Sequence, residues 1–230
     1  MNVTAIIPTL NEEKTIGKVI EKSLMHVNKV LVVDGNSVDQ TRTISKDCGA
    51  EVLVLRERGL GFAIKYAIES EDCDIIVIID GDGSHESEDI PLLIDPILAD
   101  RADLVIACRF TGGSDELFGL GHLIRRFGTV AIQSTVNRCL GVNLTDIQNG
   151  FRAIKLPVAK SLGLQADNFC ICQEMAIRCI QKGYRVVNVP SKELPRKYGK
   201  SKLCLWREVP AFVWNVAQLL FPMSKEQRLK

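Results

Sequence analysis

The sequence contains no Cys-x-x-Cys pair, no Gly-x-Ser-x-Gly, no His-Glu-x-x-His and no P-loop. A zinc ribbon, a thioredoxin-type redox site, a serine-hydrolase elbow, a zincin and a P-loop nucleotidase are therefore set aside. Histidines number three, His26, His85 and His122, and their spacing pairs none of them. No apolar run reaches the roughly 18–20 residues that a membrane span requires. The nearest, Val209 to Met223, is short and holds two prolines. The opening MNVTAIIPTLNEE lacks the basic start and apolar core of a secretory leader. The expected location is cytoplasmic, at the cytoplasmic face of a membrane. No low-complexity tract or internal repeat occurs, and aliphatic residues are plentiful, so disorder is not indicated.

What is present fits one α/β domain. The chain has 230 residues, 46% hydrophobic and 25% charged, within ordinary globular usage. The eight cysteines lie mostly in apolar stretches such as IACRF and AIRCI, where Cys packs as a small hydrophobe. Buried free thiols, and a reducing compartment, are the expectation. Net charge is only +1, yet Pro195 to Lys230 holds eight Lys/Arg against two Glu. A basic tail points to an anionic partner. It lacks the interleaved aromatics of a nucleic-acid module, so nucleic acid is not expected.

The first hundred residues alternate between short apolar strands and helical spacing. Strands are expected at Val3–Ile7, Lys29–Val33, Glu51–Leu55, Asp74–Ile79 and Leu104–Ala107. Helices are expected at Glu12–Leu24, Val38–Asp47, Phe62–Glu69 and Asp89–Leu98. That alternation predicts a mostly parallel sheet with right-handed crossovers. Further on, Thr111–Gly121 reads as a Gly-rich loop and Leu123–Leu140 as an amphipathic helix. Gly150–Ile154 and Arg185–Val189 read as strands, and Ile171–Gln181 as a helix. A core of residues 1–203 is expected, followed by an amphipathic, basic helical tail over 204–230.

Ligands of open α/β sheets bind beyond the carboxyl ends of strands, and the informative residues fall there. The first strand ends in Pro8-Thr9-Leu10-Asn11-Glu12-Glu13, the second in Asp34-Gly35-Asn36-Ser37 and the fourth in Asp80-Gly81-Asp82-Gly83-Ser84. Asp80 and Asp82 offer hard oxygen ligands to Mg²⁺ or Mn²⁺, and the glycines let a phosphate approach the backbone. A divalent ion there would bridge a diphosphate and stabilise its charge. The plain alternative is a polar turn. Asp34 can accept from a base or ribose, or close an Asx turn. Asn11 suits a helix N-cap and Glu13 a first turn, while Glu12 can face a nucleotide. Arg109, Arg196 and Lys202 are candidate phosphate binders. His85, three residues after Asp82, is either a histidine without a ligand role, the plainer reading, or one that approaches a metal there.

The segments AIIPTLNEEKTIG, VLVVDGNSVDQT, GLGFAIKYAI, VIIDGDGSHESEDI, DLVIACRF, TDIQNGFRAIK and RKYGKSKL, in that order over residues 5 to 203, resemble the family 2 glycosyltransferases. Within them the chain looks like the dolichyl-phosphate (polyprenyl-phosphate) mannosyltransferases. The resemblance implies a single-domain glycosyltransferase-A, Rossmann-like fold. It implies inverting transfer of a hexose, mannose from GDP-mannose, to dolichyl or polyprenyl phosphate with Mg²⁺ or Mn²⁺. By motif, Pro8, Glu12 and Asp34 would hold the nucleotide, and Asp80 and Asp82 the metal and diphosphate, with Asp82 and Arg109 catalytic. Arg109, Arg196 and Lys202 would meet donor or acceptor phosphates. Arg125 and Thr129 match an Arg-x-x-x-Ser acceptor-phosphate pattern, with Thr in place of Ser.

Two departures stand out. Gly83-Ser84-His85 replaces the Gln- or His-Pro-containing run that often follows the paired aspartates, so the third metal ligand, Ser84 or His85, is open. Asn188 stands where a Glu is common before Val-Pro. Over Leu203–Phe221, apolar residues at helical spacing with basic flanks fit an interfacial helix or a core-packing one. Peripheral contact with a membrane, or with a membrane subunit, is the corresponding expectation. The alternatives are UDP-glucose or another nucleotide-sugar as donor, and a soluble acceptor, for which no general base stands out. A sugar nucleotidyltransferase and a non-catalytic binding module come after those.

Overall fold

The computed structural model describes residues 1–109, 120–196, 198 and 205–221, with 120–127 and 205–207 by backbone alone. Its first half follows the alternation in the sequence. Strand β1 (Val3–Thr9) leads through α1 (Ile16–Leu24) to β2 (Lys29–Asp34). Then come α2 (Thr41–Asp47), β3 (Glu51–Val54), α3 (Leu60–Ser70) and β4 (Ile75–Ile78). A 3-10 turn at Ser87–Asp89 precedes α4 (Ile90–Leu98) and β5 (Leu104–Cys108). The remaining elements are α5 (Leu120–Leu140), β6 (Arg152–Lys155), α6 (Leu156–Ser161), α7 (Ile171–Gln181), β7 (Val186–Pro190) and α8 (Leu205–Leu220).

Seven strands of the described residues form a sheet in the order β3-β2-β1-β4-β6-β5-β7. β1 pairs in parallel with β2 and β4, β2 with β3, and β5 with β7. β6 runs antiparallel to both β4 and β5. The chain leaves β1 toward β2 and β3, then returns to β4 on the other side of β1. That reversal opens a crevice beyond the carboxyl ends of β1 and β4, where such folds bind ligands.

Alternation along β1 divides the core. Ile6 faces a cluster with Leu31, Ile76, Ile78 and residues of α3, α6, α7 and α8. Ala5 and Ile7 face a cluster with Val32, Val77 and residues of α1 and α4. Both faces of the sheet are covered, which is why the four residues of β4 are all buried and all apolar. On α1, Ile16, Val19, Ile20 and Ser23 are buried, the i, i+3, i+4, i+7 stripe of a helix lying on a sheet.

Three local readings change. Helix α1 begins at Ile16 rather than Glu12 and its N-cap is Thr15. Residues 12–15 instead form a turn in which Glu12 O accepts from the N–H groups of Thr15 and Ile16, each at 3.0 Å. Asn11 does not cap the helix. It adopts a left-handed φ of 55°, a conformation Asn tolerates better than most residues, and its Oδ1 accepts from Val38 N at 2.9 Å. The late strand β6 is shorter than expected, and its direction matters. Its Arg152 end lies beside Ile78 and Ile106. The residues that deliver side chains to the crevice are therefore those preceding the strand. The expected Gly-rich loop lies largely outside the described residues, and so does Lys202.

Candidate active site

A cavity of about 610 Å³ opens at the crevice. Pro8, Thr9, Leu10 and Glu12 line it from the end of β1, Gly35 from β2, and Asp80, Gly81, Asp82, Ser84 and His85 from the end of β4. Pro8 sits past the end of the β1–β4 register, which stops at Ile6 and Ile78, so its missing N–H costs no ladder bond there.

The Asp80–Gly81–Asp82 turn is braced from below. Thr15 Oγ1 donates to Gly81 O at 2.8 Å, tying the start of α1 to the turn. Gly81 is required by space, since a Cβ would stand 2.9 Å from Thr9 Cγ2. Asp82 Oδ1 accepts from Ser84 N at 3.0 Å and Ser84 Oγ at 2.7 Å. Ser84 therefore orients Asp82. His85, buried at 7% exposure, places Nε2 3.5 Å from Asp80 Oδ2. Its ring centroid lies 5.2 Å from that of Phe151. Burial alone would raise the Asp80 carboxyl, but the His85 hydrogen bond and the charges of His85, Arg196 and Arg152 hold it below its ordinary value. Burial alone would likewise lower His85, and Asp80 reverses that, with Glu193 and Asp82 adding to it.

Arg196 crosses the mouth of the turn. Nη1 is 3.2 Å from Asp82 Oδ2, Nη2 bonds Glu12 Oε1, and Nε donates to Tyr198 O at 2.8 Å. The guanidinium lies between the two carboxylates and supplies their positive counter-charge. Lys14 Nζ stands 5.5 Å over the Tyr198 ring, within cation–π range. Three residues named from the sequence, Glu12, Asp82 and Arg196, thus meet directly.

Arg109 lies at the end of β5, with a side chain 15% exposed and held by two anions. Nε donates to Asp146 Oδ2 at 2.8 Å, and Nη1 is 3.2 Å from Glu193 Oε2. Burial opposes its charge, but Asp146 and Glu193 raise the guanidinium further above its ordinary range, so it stays charged. The expected phosphate binder is thus ion-paired with two carboxylates of the protein itself. Asn188, the departure noted in the sequence, explains how Asp146 is placed. Its Nδ2 donates to Ile106 O at 3.2 Å and Asp146 O at 2.8 Å, while its Oδ1 accepts from Thr145 N at 2.8 Å. An amide donates and accepts at once here; an ionised glutamate could only accept.

Asp34 does not line the cavity. It is fully buried, with Oδ1 accepting from Ser37 N at 2.8 Å and Oδ2 bonded by Ser37 Oγ at 2.5 Å and Thr9 Oγ1 at 3.3 Å. This is the Asx turn, and it shapes the Gly35 loop. Thr129 lines the cavity from α5, beside Gly128. Arg125 lies on α5 where the backbone alone is described, and Lys202 is outside the described residues.

Sequence reasoning missed Glu57 and Arg58 before α3, Asp146 to Gly150 before β6, and Glu193 after β7. Glu57, Arg58, Gln148, Asn149, Gly150 and Glu193 all line the cavity. Gly150 has a local reason, because a Cβ there would stand 3.1 Å from Asp80 Oδ2.

The donor set suits a hard divalent ion shared with a ligand. No group of three His, Cys, Asp or Glu side chains capable of holding a metal occurs among the described residues. Mg²⁺-type ions, however, commonly take one or two carboxylates and fill the rest with water and substrate phosphate. Asp80 and Asp82 supply two carboxylates on the cavity wall, the side-chain-free Gly150 leaves room beside Asp80, and Arg196 marks the place as one that draws positive charge. The far wall is apolar, with Leu60, Ile132, Phe169, Val209, Phe212 and Val213.

Residues 4–163 match the sequence model for the Glycosyl transferase family 2. The chain is 34% identical over 199 residues to Glycosyltransferase AglJ of Haloferax volcanii, an overlap of 86% of this chain and 64% of AglJ, less than two thirds of that protein's length. It is 32% identical over 225 residues to an undecaprenyl-phosphate mannosyltransferase of Micrococcus luteus, covering 88% of each. Glucosyl-3-phosphoglycerate synthase of Mycobacterium tuberculosis, solved with Mg²⁺ and UDP, superposes with a TM-score of 0.78 at 19% identity over 97% of this chain and 81% of that one. At that identity the likeness is one of fold, the glycosyltransferase-A-like α/β fold with a mostly parallel sheet flanked by helices.

Proposed function

Because the chain belongs to glycosyl transferase family 2, we propose that it moves a hexose, mannose from GDP-mannose, onto a dolichyl or polyprenyl phosphate, with inversion and with Mg²⁺ or Mn²⁺. The observation that carries the reading is the cavity itself, which joins the Asp80–Asp82 turn to an apolar wall made by Ile132, Val209, Phe212 and Val213. A charged donor end and a greasy acceptor end meet in one space. The Micrococcus relative, named for an undecaprenyl-phosphate acceptor, supports the same acceptor class.

Asp80 and Asp82 would hold the ion, and its part is to neutralise charge on the departing nucleoside diphosphate. Ser84 and His85 fix the two carboxylates, so little reorganisation is left for the reacting complex. Arg196 leaves Asp82 as the donor arrives and turns its charge toward phosphate. Pro8, Thr9, Gly35 and Arg58 line the cavity at the nucleotide end and Thr129 at the acceptor end; Arg125, named with Thr129 by the sequence motif, would meet the acceptor phosphate. Lys202, outside the described residues, would be a further phosphate contact. The acceptor phosphate is ionised near neutral pH, so its oxygen attacks the anomeric carbon without a general base. The enzyme's contribution is then alignment and charge stabilisation.

Helix α8 supports a lipid acceptor reached at the cytoplasmic face of a membrane. Its inner face is anchored, with Phe212 and Val216 buried and Gln173 Nε2 donating to Phe212 O at 2.8 Å. Val213, 54% exposed, looks onto the open cavity, and Trp214, 61% exposed, faces outward, apolar surface of the kind an interfacial helix offers. Among the described residues no helix is long and apolar enough to cross a membrane. UDP-glucose with a small phosphorylated acceptor, the chemistry named for the Mycobacterium synthase, is the second reading. Incubating GDP-mannose and UDP-glucose in turn with undecaprenyl phosphate and with 3-phosphoglycerate separates the two. Transfer confined to the soluble acceptor would refute the lipid assignment.

A further inference from the structure

We propose that Glu193 reads the donor sugar: it accepts hydrogen bonds from hydroxyls of the transferred hexose, and Arg109 and Asp146 hold it in place for that task. This rests on the glycosyltransferase reading and adds a residue to it.

After β7 the chain is stitched to the site at three points. Ser191 Oγ donates to Asp89 Oδ2 at 2.7 Å, Leu194 N donates to Ser84 O at 2.8 Å, and Glu193 forms an isolated antiparallel bridge with His85. Glu193 is therefore presented from a fixed backbone directly behind the aspartate turn. It lines the same cavity as Asp80, Asp82 and His85. A hexose attached to a diphosphate held at that turn must lie within this region.

Asp146, Arg109 and Glu193 form a row of alternating sign that runs from the interior to the cavity, with side-chain exposures of 0%, 15% and 14%. The row carries formal charges of minus, plus and minus, so it offers no surplus cation to a phosphate. A neutral, hydroxyl-rich group suits it better. Carboxylates accept and never donate when ionised, whereas sugar hydroxyls donate readily, and such charge-assisted bonds are the stronger kind. Glu193 Oε2 is shut from solvent in ion-pair range of Arg109, while the side chain keeps 14% of its surface accessible and lines the cavity. A sugar hydroxyl in the cavity can donate to that accessible part of the carboxylate. Arg109 is thus a positioning residue that keeps Glu193 aimed.

The test is calorimetric binding to the full chain with Mn²⁺ and no acceptor, comparing GDP with GDP-mannose and UDP with UDP-glucose. For Glu193→Gln we expect nucleoside diphosphate binding within about twofold of wild type and nucleotide-sugar binding weakened about tenfold or more. Glu193→Asp, which keeps the charge on a shorter arm, should recover part of the loss and also serves if the Gln variant folds poorly. Equal weakening of both ligand types would mean a merely structural role and would overturn the proposal, as would unchanged binding of both. Wild-type protein that binds neither nucleotide would instead bring down the glycosyltransferase reading itself, and the role of Glu193 with it.

Discussion

Replacing Gly150 by alanine should damage the metal site without damaging the fold. The added Cβ would stand 3.1 Å from Asp80 Oδ2, 3.5 Å from Oδ1 and 3.6 Å from Cγ. The first distance is shorter than an ordinary carbon–oxygen contact, so the carboxylate must retreat by a few tenths of an ångström. Its retreat strains the His85 contact, already long at 3.5 Å. Partners that orient a metal ligand typically govern about 10- to 100-fold in metal affinity, which is roughly 1.4–2.8 kcal/mol. The backbone should not object, because Gly150 is absent from the left-handed positions. Stability should therefore change by less than about 1 kcal/mol. Gly61→Ala is the contrast. Its Cβ would lie 2.2 Å from Ala166 O and 2.8 Å from the Asp167 carbonyl carbon, against backbone that cannot rotate away, at a cost of about 1–3 kcal/mol or more. Thermal melts and Mn²⁺–nucleotide calorimetry on both variants check this. Wild-type metal affinity in Gly150→Ala, or a fall in its melting temperature as large as that of Gly61→Ala, would refute the steric reasoning.

Arg196→Gln removes the internal counter-charge of Asp82 and Glu12. Mn²⁺ without nucleotide should then bind about three- to tenfold tighter, read by electron paramagnetic resonance titration, while nucleoside diphosphate binds more weakly; unchanged metal affinity would contradict the exchange. Asp103, far from the site, lies 2.8 Å from Lys155 Nζ and 3.1 Å from Arg185 Nη2. Its hydrogen bonds to Arg185 and Lys155 outweigh burial and hold its carboxyl well below the usual carboxylate range. A depressed folded-state pKa contributes stability above the unfolded value, roughly 3.9, that is lost as pH falls below it. The stability gap between wild type and Asp103→Asn should therefore be widest near pH 7 and shrink below about pH 4, as urea denaturation would show.

The sequence was most legible where side-chain periodicity and local chemistry act alone. β4 announces itself by an unbroken apolar run, and the residues after it fall at the site because parallel strands end there. Helix α7 occupies the expected Ile171–Gln181. The start of α1 was misplaced because Glu12 looks helical, yet its carbonyl closes a turn whose register is set by Thr41 at the start of α2, whose Oγ1 accepts from Glu12 N at 2.8 Å. Asp146, Gly150 and Glu193 were missed for a different reason. Their importance depends on the antiparallel direction of β6 and on pairing between residues 84–85 and 193–194, long-range facts without a short-range signature. The one available hint was Asn149-Gly150, a turn dipeptide before a strand. Arg109 was found, but its partners Asp146 and Glu193 were not.

Sugar transfer measured directly on Asp82→Ala, beside wild type, tests the central claim most sharply. Radiolabelled GDP-mannose and undecaprenyl phosphate would be incubated with Mn²⁺ and the organic-phase product counted. We expect transfer by wild type, its loss on chelation, and a fall of roughly 100-fold or more in the variant. Equal transfer by both proteins would contradict it.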